Sequence, residues 1–501
     1  MWCTSLSKSH TAVATGFPFS SKKSSRTIIT HLKKGLYPES AKFLNSLAIL
    51  TVVIAGTLFI LSASVLGGEP HSGIQQRLSH FSVSHLDNLM NEGGINLKED
   101  LFSRNIRSQS GLGVMFSKTI GSKGHTIERS PGTLNLIKIF MCGDVMTGRG
   151  IDQVLPHPSN PVIYEPYVRD ARKYVELAEK TNGPIPQPVS FSYIWGDAVN
   201  ELERMTPDLR IINLETSIAK SNDYWRGKGI NYRMHPGNIP CLTAAKIDVC
   251  SLANNHILDW GYSGLTETLA TLRKVNVKYS GAGRNIKEAE KPAVMQVQEK
   301  SRVIVFSFGS FTSGIPFSWA ATENRPGVNL LKDLSEKTIR RIKHRIHKLK
   351  REGDIVVVSI HWGANWGYEI PGEQIDFAHK LIDEAGVDII HGHSSHHVKA
   401  IEVYKEKPII YGCGDFLNDY EGIGGYEEFR ADLGLMYFLS MDPSTGKLVN
   451  LEMIPTQIKR FKVNRASRAD ALWLKDTLNR KGGKFGTRVE SRRHNTLNLK
   501  W

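Results

Sequence analysis

From about residue 134 onwards, short apolar runs alternate with amphipathic stretches. That rhythm predicts strands buried on both faces with helices packed against them, an α/β chain built on a largely buried sheet. The runs are "LNLIKIFMC", "DLRII", "KIDVCSL", "GDIVVVSI" and "GVDII". Each one ends in polar residues: Gly143-Asp144, Asn213-Leu214-Glu215, Asn254-Asn255-His256, His361-Trp362-Gly363 and His391-Gly392-His393. Sites in α/β folds form outside the carboxyl ends of strands, so these five loops are expected to converge on one cleft although they are far apart in sequence. Taken singly, each has an ordinary explanation: Asp after a strand is commonly a helix cap, Asn-Asn a turn, and a lone His a satisfied polar group. Five in succession make the pattern informative. There is no internal repeat.

Outside this region the pattern changes. Residues 47–66, "LAILTVVIAGTLFILSASVL", carry no charge over the length that a helix needs to cross about 30 Å of hydrocarbon. The expected organisation is a basic leader over 1–43, a transmembrane anchor over 44–67, a Ser- and Gly-rich linker over 68–133, the α/β domain over 134–458 and a basic tail over 459–501. That tail is poor in apolar runs after "ALWLKDTL" and is expected to be partly disordered. The leader carries seven Lys/Arg against one acid. Positive charge stays on the cytoplasmic side, which predicts a single-pass membrane protein with its C-terminal domain on the outer face. A signal peptide cleaved after "SAS" and an organelle transit sequence are the alternatives.

The net charge of +15 raises the question of nucleic acid. Its distribution answers it. The leader contributes +6 and residues 459–501 contribute +10, leaving the body at −1. Without a basic folded surface no nucleic-acid partner is expected. The five cysteines are scattered with no C-x-x-C pair, which argues against a disulfide framework or a thiolate zinc site. A Cys241–Cys250 bridge is compatible with the sequence, but small buried thiols are the expectation.

The residues at the ends of the runs mix carboxylates, a side-chain amide and imidazoles. This oxygen and nitrogen set suits a divalent Mn, Fe or Zn ion rather than an all-oxygen calcium shell. Such ions support hydrolysis, most familiarly of phosphoesters, with a neighbouring His able to protonate the leaving group.

The stretches "GDVMTGR", "NLETSIA", "SLANNHILDWGYSGLTETLATL", "YSGAGRN", "HWGANWGYE", "GHSSHHVKAIEVY" and "KPIIYGCGDFLNDY" occur in this order over about residues 135–455. In this they resemble bacterial capsule-synthesis proteins of the CapA type, the poly-γ-glutamate biosynthesis family, itself similar to calcineurin-like metallophosphoesterases. The resemblance implies a layered β-sandwich flanked by helices. It further implies Asp144, Glu215, Asn255, His361, His393 and His396 as metal ligands, His256 as general acid and Asp259 as its orienter. Arg149 and Arg233 are candidates for holding an anionic substrate, with surface ion pairs as the alternative for each. Of the four clustered histidines, His391 is expected to end its strand and pack beside the sheet, Gly392 to let the chain turn, and His397 to face away from His396.

The chain departs from the metallophosphoesterase pattern at three places: Met146, as in other CapA-type proteins, stands where the opening Asp-x-His motif has its His, Glu215 replaces the usual second Asp, and Gly392-His393-Ser394-Ser395-His396 stands where the fifth motif reads G-H-x-H or G-H-H-P-H. Asp415 stands where the CapA-type family usually has Asn. The loss of a nitrogen ligand at Met146 implies a weak or absent second metal. Asp415 either adds a carboxylate near the cleft or makes a turn. Two functions follow from the resemblance: a membrane-anchored, metal-dependent hydrolase acting on an anionic polymer or phosphoester, or a non-catalytic polyanion-binding component of a polymer synthase or export complex. The third reading is an α/β domain whose histidines only satisfy hydrogen bonds.

Overall fold

The computed structural model describes residues 135–298 and 301–501. The leader, span and linker expected over residues 1–133 lie outside the described residues, and among those described no helix is long and apolar enough to cross a membrane. The chain is a mixed α/β fold with two principal sheets.

Four parallel strands, β1 (Ile137–Val145), β2 (Leu209–Leu214), β3 (Val249–Ser251) and β4 (Lys278–Ser280), form one half of a ten-stranded sheet. The second sheet is built on parallel strands β5 (Ser301–Ser310), β6 (Ile355–His361), β7 (Ile389–His393) and β8 (Lys407–Ile410). The chain then returns to the first sheet with β9 (Leu433–Asp442), antiparallel to β1, and β10 (Lys447–Ile458), antiparallel to β9.

Alternation along each strand decides which layer a side chain joins, because successive residues face opposite sides. Ile137, Ile139 and Met141 of β1 share an apolar cluster with Val303 and Val305 of β5 and Ile355 and Val357 of β6. Phe140 and Cys142 face the other way, into a cluster with Leu265, Leu269 and Leu272 of the helix Gly261–Lys274. The outer face of the second sheet behaves alike: Ile304, Val356 and Val358 pack on Ile339, Ile342 and Ile346 of the helix Glu336–Leu349, whose N-terminus Ser335 caps. Each fully buried aliphatic side chain of this size contributes about 1.5–3 kcal/mol, so near-continuous runs such as "IVVVSI" hold both faces at once.

The tail is a correction to the sequence reading. Far from ending at 458, the chain adds a strand Val463–Arg465 on β10, a helix Arg468–Gly482, and the antiparallel pair β11 (Arg488–Ser491) and β12 (Leu497–Lys500), with β12 on β10. Leu474, Leu478, Leu497 and Leu499 join the cluster between the sheets. The apolar positions were few but correctly spaced. A helix with one apolar stripe and short alternating strands need no apolar run, and the basic residues occupy the opposite faces.

Candidate metal centre

Strands of both sheets deliver polar groups to one place. Asp144 stands near the end of β1, Glu215 follows β2, Asn255 and His256 follow β3, His361 ends β6 and His393 ends β7. Asp144 and Glu215 are held together by Asn213, whose Nδ2 donates to Asp144 Oδ1 at 2.8 Å and to Glu215 Oε2 at 3.1 Å. Asn254 in turn fixes Asn213, donating to its Oδ1 at 3.1 Å. Ser394 N donates to Asp144 Oδ2 at 3.2 Å, which ties the second sheet to the first at the centre.

The imidazoles surround these acids. His361 Nδ1 lies 2.7 Å from His393 Nδ1, and His361 Nε2 lies 3.1 Å from Asn255 Oδ1 and 3.8 Å from Glu215 Oε1. His396 Nδ1 is 2.9 Å from Asp415 Oδ1. Two sets emerge whose ligand atoms lie within 4.8 Å of one another: Asp144 with His361 and His393, and Asp144 with His396 and Asp415. All six ligands expected from the resemblance therefore lie in one neighbourhood.

Burial dominates the electrostatics. Asp144 is pushed up to about 7, by burial first and by the charge of Asp415 second, while His396 and Asn213 pull it back. Glu215 rises well above the carboxylate range for the same two reasons, burial and then the charge of Asp144. Burial drives the imidazoles of His361 and His393 far below their ordinary value, leaving neutral rings. His396 differs: burial lowers it, but the charge and hydrogen bond of Asp415 outweigh that and leave it raised. Asp144, Glu215 and Asp415 are at most 1% exposed, and among the described residues no Lys or Arg lies within ion-pair distance of any of them. Burying carboxylates without a cation costs several kcal/mol each, so the constellation is suited to a cation.

His256 sits at the edge, its Nε2 3.8 Å from Glu215 Oε1. Asp259 Oδ2 lies 2.6 Å from His256 Nδ1 and accepts from Tyr232 N. Lys228 carries no signal in the sequence, yet it reaches in from a loop to donate to Asp259 Oδ1 at 2.6 Å and stands 2.9 Å from His256 Nδ1. Burial, with Lys228 beside it, lowers His256 to about 4 against the opposing pull of Asp259.

The two arginines do not present free forks. Arg149 is buried, pairing with Glu165 at 3.1 Å and with Asp419, and it packs over the rings of Tyr174 and Tyr232. Arg233 donates to Ser221 O, Asn222 Oδ1 and Asn160 O and lies over Trp260. Both guanidinium groups donate to groups of the protein itself.

In the histidine loop, β7 continues through His393, so His391 is not its last residue. His391 and His393 share a strand face and both approach Ser359 Oγ, with His391 Nε2 on Cys142 O at 2.8 Å. Gly392 is needed for close approach, since a Cβ there would stand 2.5 Å from Tyr411 O, and the turn comes at Ser394, with φ 100°. His397 is buried against Phe429 and Trp366, its Nδ1 on Val398 O. Cys142, Cys241, Cys250 and Cys413 are free buried thiols.

Residues 138–420 match the family model described as bacterial capsule synthesis protein PGA_cap. A Mycobacterium tuberculosis protein named "Probable polyglutamine synthesis accessory protein" is 47% identical over 369 residues, which is 74% of this chain and 97% of that protein. The "PGA biosynthesis protein CapA" of Bacillus subtilis is 27% identical over 69% of this chain and 78% of its own length. The "Capsule biosynthesis protein CapA" of Bacillus anthracis is 26% identical over 56% of this chain and 60% of its own.

Proposed function

The chain belongs to the bacterial capsule synthesis protein family, and from that premise we propose that it is an accessory hydrolase of poly-glutamate synthesis dependent on a divalent metal ion. The observation that carries this reading is the set of three buried carboxylates with no Lys or Arg to pair them. Asp144, Glu215, Asn255, His361, His393 and His396 would hold the metal, and their oxygen and nitrogen donors fit Mn, Fe or Zn. Such an ion would supply Lewis acidity to polarise a phosphoryl or carbonyl group and to activate water.

The chain's own residues do the rest. Asn213 holds Asp144 and Glu215 in register, so the acids are positioned before any ligand arrives. His256 faces the centre through Nε2 and is neutral at pH 7. Lys228 and Asp259 compete for its Nδ1. When Lys228 donates there, the ring proton sits on Nε2 and is available to the leaving oxygen or nitrogen as water adds to the scissile centre. The paired sheets with helices outside them are read as a metallophosphoesterase-like layering. The apolar run 47–66 is read as a membrane anchor that holds the body on the outer face beside a polymer synthase or export complex.

The test is a screen of the Mn²⁺-loaded full chain on phosphodiesters and γ-glutamyl amides. Turnover that chelation abolishes and Mn²⁺ restores is the expected result. Stoichiometric metal without turnover on either class would overturn the hydrolase reading in favour of a polyanion-binding component, and absence of metal would overturn both. Protease treatment of sealed membranes tests the anchor, where release of a soluble body with a new N-terminus near residue 68 would contradict it.

A further inference from the structure

The helix Glu336–Leu349 spends one face on the second sheet and leaves the other in solvent. Thr338, Ile339, Ile342 and Ile346 are buried, whereas Lys337, Arg340, Arg341 and Lys348 are exposed. At 3.6 residues per turn these four cations fall within an arc of about 100° that runs about 16 Å along the helix, opposite the buried stripe. Residues 336–352 carry eight Lys/Arg against two acids, so a body that sums to −1 contains a segment at +6. The acids at its start are engaged: Glu336 pairs with Lys380, and Asp333 Oδ1 accepts from Ser335 Oγ and Thr338 Oγ1, each at 2.6 Å. Arg345 and Lys350 pair with Glu290 and Asp388. Among the described residues, Lys337, Arg340, Arg341 and Lys348 have no carboxylate within ion-pair distance.

Strand register ties this face to the metal centre. His361 stands opposite Gly309 of β5, and Gly309 stands opposite Leu330 of the short strand Leu330–Leu331. Leu330 is thus two strand spacings, about 10 Å, from His361, and the helix follows behind Ser335. The cationic face therefore starts at the carboxyl edge that carries His361 and His393 and runs away from it along the outer layer of the second sheet. Arg149 and Arg233, the cations that the sequence offered for an anion, donate to groups of the protein itself.

The chemistry of this face fits a flexible polyanion better than a bilayer. A helix that docks on lipid keeps an apolar face for the acyl boundary, and here that face is spent on Ile304, Val356 and Val358 of the sheet. A polycarboxylate chain needs only cations along its path, two of which are guanidinium forks that match carboxylate oxygens. We propose that the exposed face of the helix Glu336–Leu349 is a docking track for a poly-glutamate chain, which it holds by its carboxylates outside the centre. The identity of the chain rests on the poly-glutamate reading above.

The experiment uses the full chain in phosphatidylcholine nanodiscs with fluorescent poly-γ-glutamate, read by anisotropy at low and high salt. The wild type is expected to bind, less tightly at high salt. Lys337→Gln/Arg340→Gln/Arg341→Gln/Lys348→Gln should bind at least about ten-fold more weakly, with a smaller salt dependence, unchanged circular dichroism and unchanged turnover of small phosphodiesters and γ-glutamyl amides. In the wild type the polymer should protect Lys337 and Lys348 from acetylation, a readout that needs no variant. Equal affinity in variant and wild type, or polymer that leaves both lysines open to acetylation, would overturn the inference with the hydrolase reading intact. Protection of both lysines by phosphatidylglycerol nanodiscs and not by polymer would overturn it in favour of a lipid surface. Polymer binding that depends on the four cations, in a protein that turns over neither class of small substrate, would uphold it while the hydrolase reading fails.

Discussion

Arg149 shows how far a residue's neighbourhood can lie from its sequence context. Its partners are Glu165, sixteen positions on, and Asp419, 270 positions on, so "GDVMTGR" alone could not reveal that the guanidinium is spoken for. Arg149→Met leaves two buried carboxylates without their cation and should cost about 3–5 kcal/mol in urea unfolding. A variant as stable as the wild type that only bound substrate more weakly would return Arg149 to the substrate-holding role. Lys399 is a different case, a side chain 6% exposed whose ammonium donates to Glu369 O at 3.4 Å. Burial lowers it from 10.5 to about 8. Below pH 8 it is charged folded and unfolded alike, and the folded state bears the cost. Between about 8 and 10.5 the unfolded chain binds the extra proton, so stability rises with pH across that window. Lys399→Met should flatten this rise and add about 1–3 kcal/mol at pH 7, and an unchanged slope would refute the assignment. Asp144, Glu215, Asn255, His361 and His393 were legible because each stands at the end of an apolar run, whereas His396 and Asp415 came only with the resemblance. Lys228 was not legible, since its loop has no periodicity and its contacts are tertiary.

At the scale of elements, β1, β2, β3, β6 and β7 were readable as buried parallel strands because both of their faces are apolar. β11, β12 and the helix Arg468–Gly482 were hidden because the strands are only four residues long and the helix carries only a narrow apolar stripe. Their contribution is nonetheless cohesive: they bury Leu474, Leu478, Leu497 and Leu499 and cover the edge of β10. A chain truncated after residue 458 would expose that apolar surface and the unpaired edge. It should aggregate or lose its cooperative thermal transition, whereas a chain running to residue 501 melts in one step. A truncated chain with an unshifted melting temperature would show that these elements are appended rather than integral.

At the scale of the molecule, the sequence placed the strands that carry the chemistry but not the balance of charge around them. The net +15 resides in terminal segments, while the centre concentrates three carboxylates that the fold buries and leaves without Lys or Arg. That imbalance is the physical basis for expecting a cation, and it makes the acids costly when no cation is present. Calorimetric titration of the chelator-treated full chain with Mn²⁺, run beside Asp144→Asn and Glu215→Gln, tests it most directly. The wild type should bind Mn²⁺, and each variant should bind at least about ten-fold more weakly, about 1.4 kcal/mol or more, with circular dichroism unchanged and the metal-free melting temperature equal or higher. A wild type that takes up no Mn²⁺, or variants that bind it as the wild type does, would contradict the account.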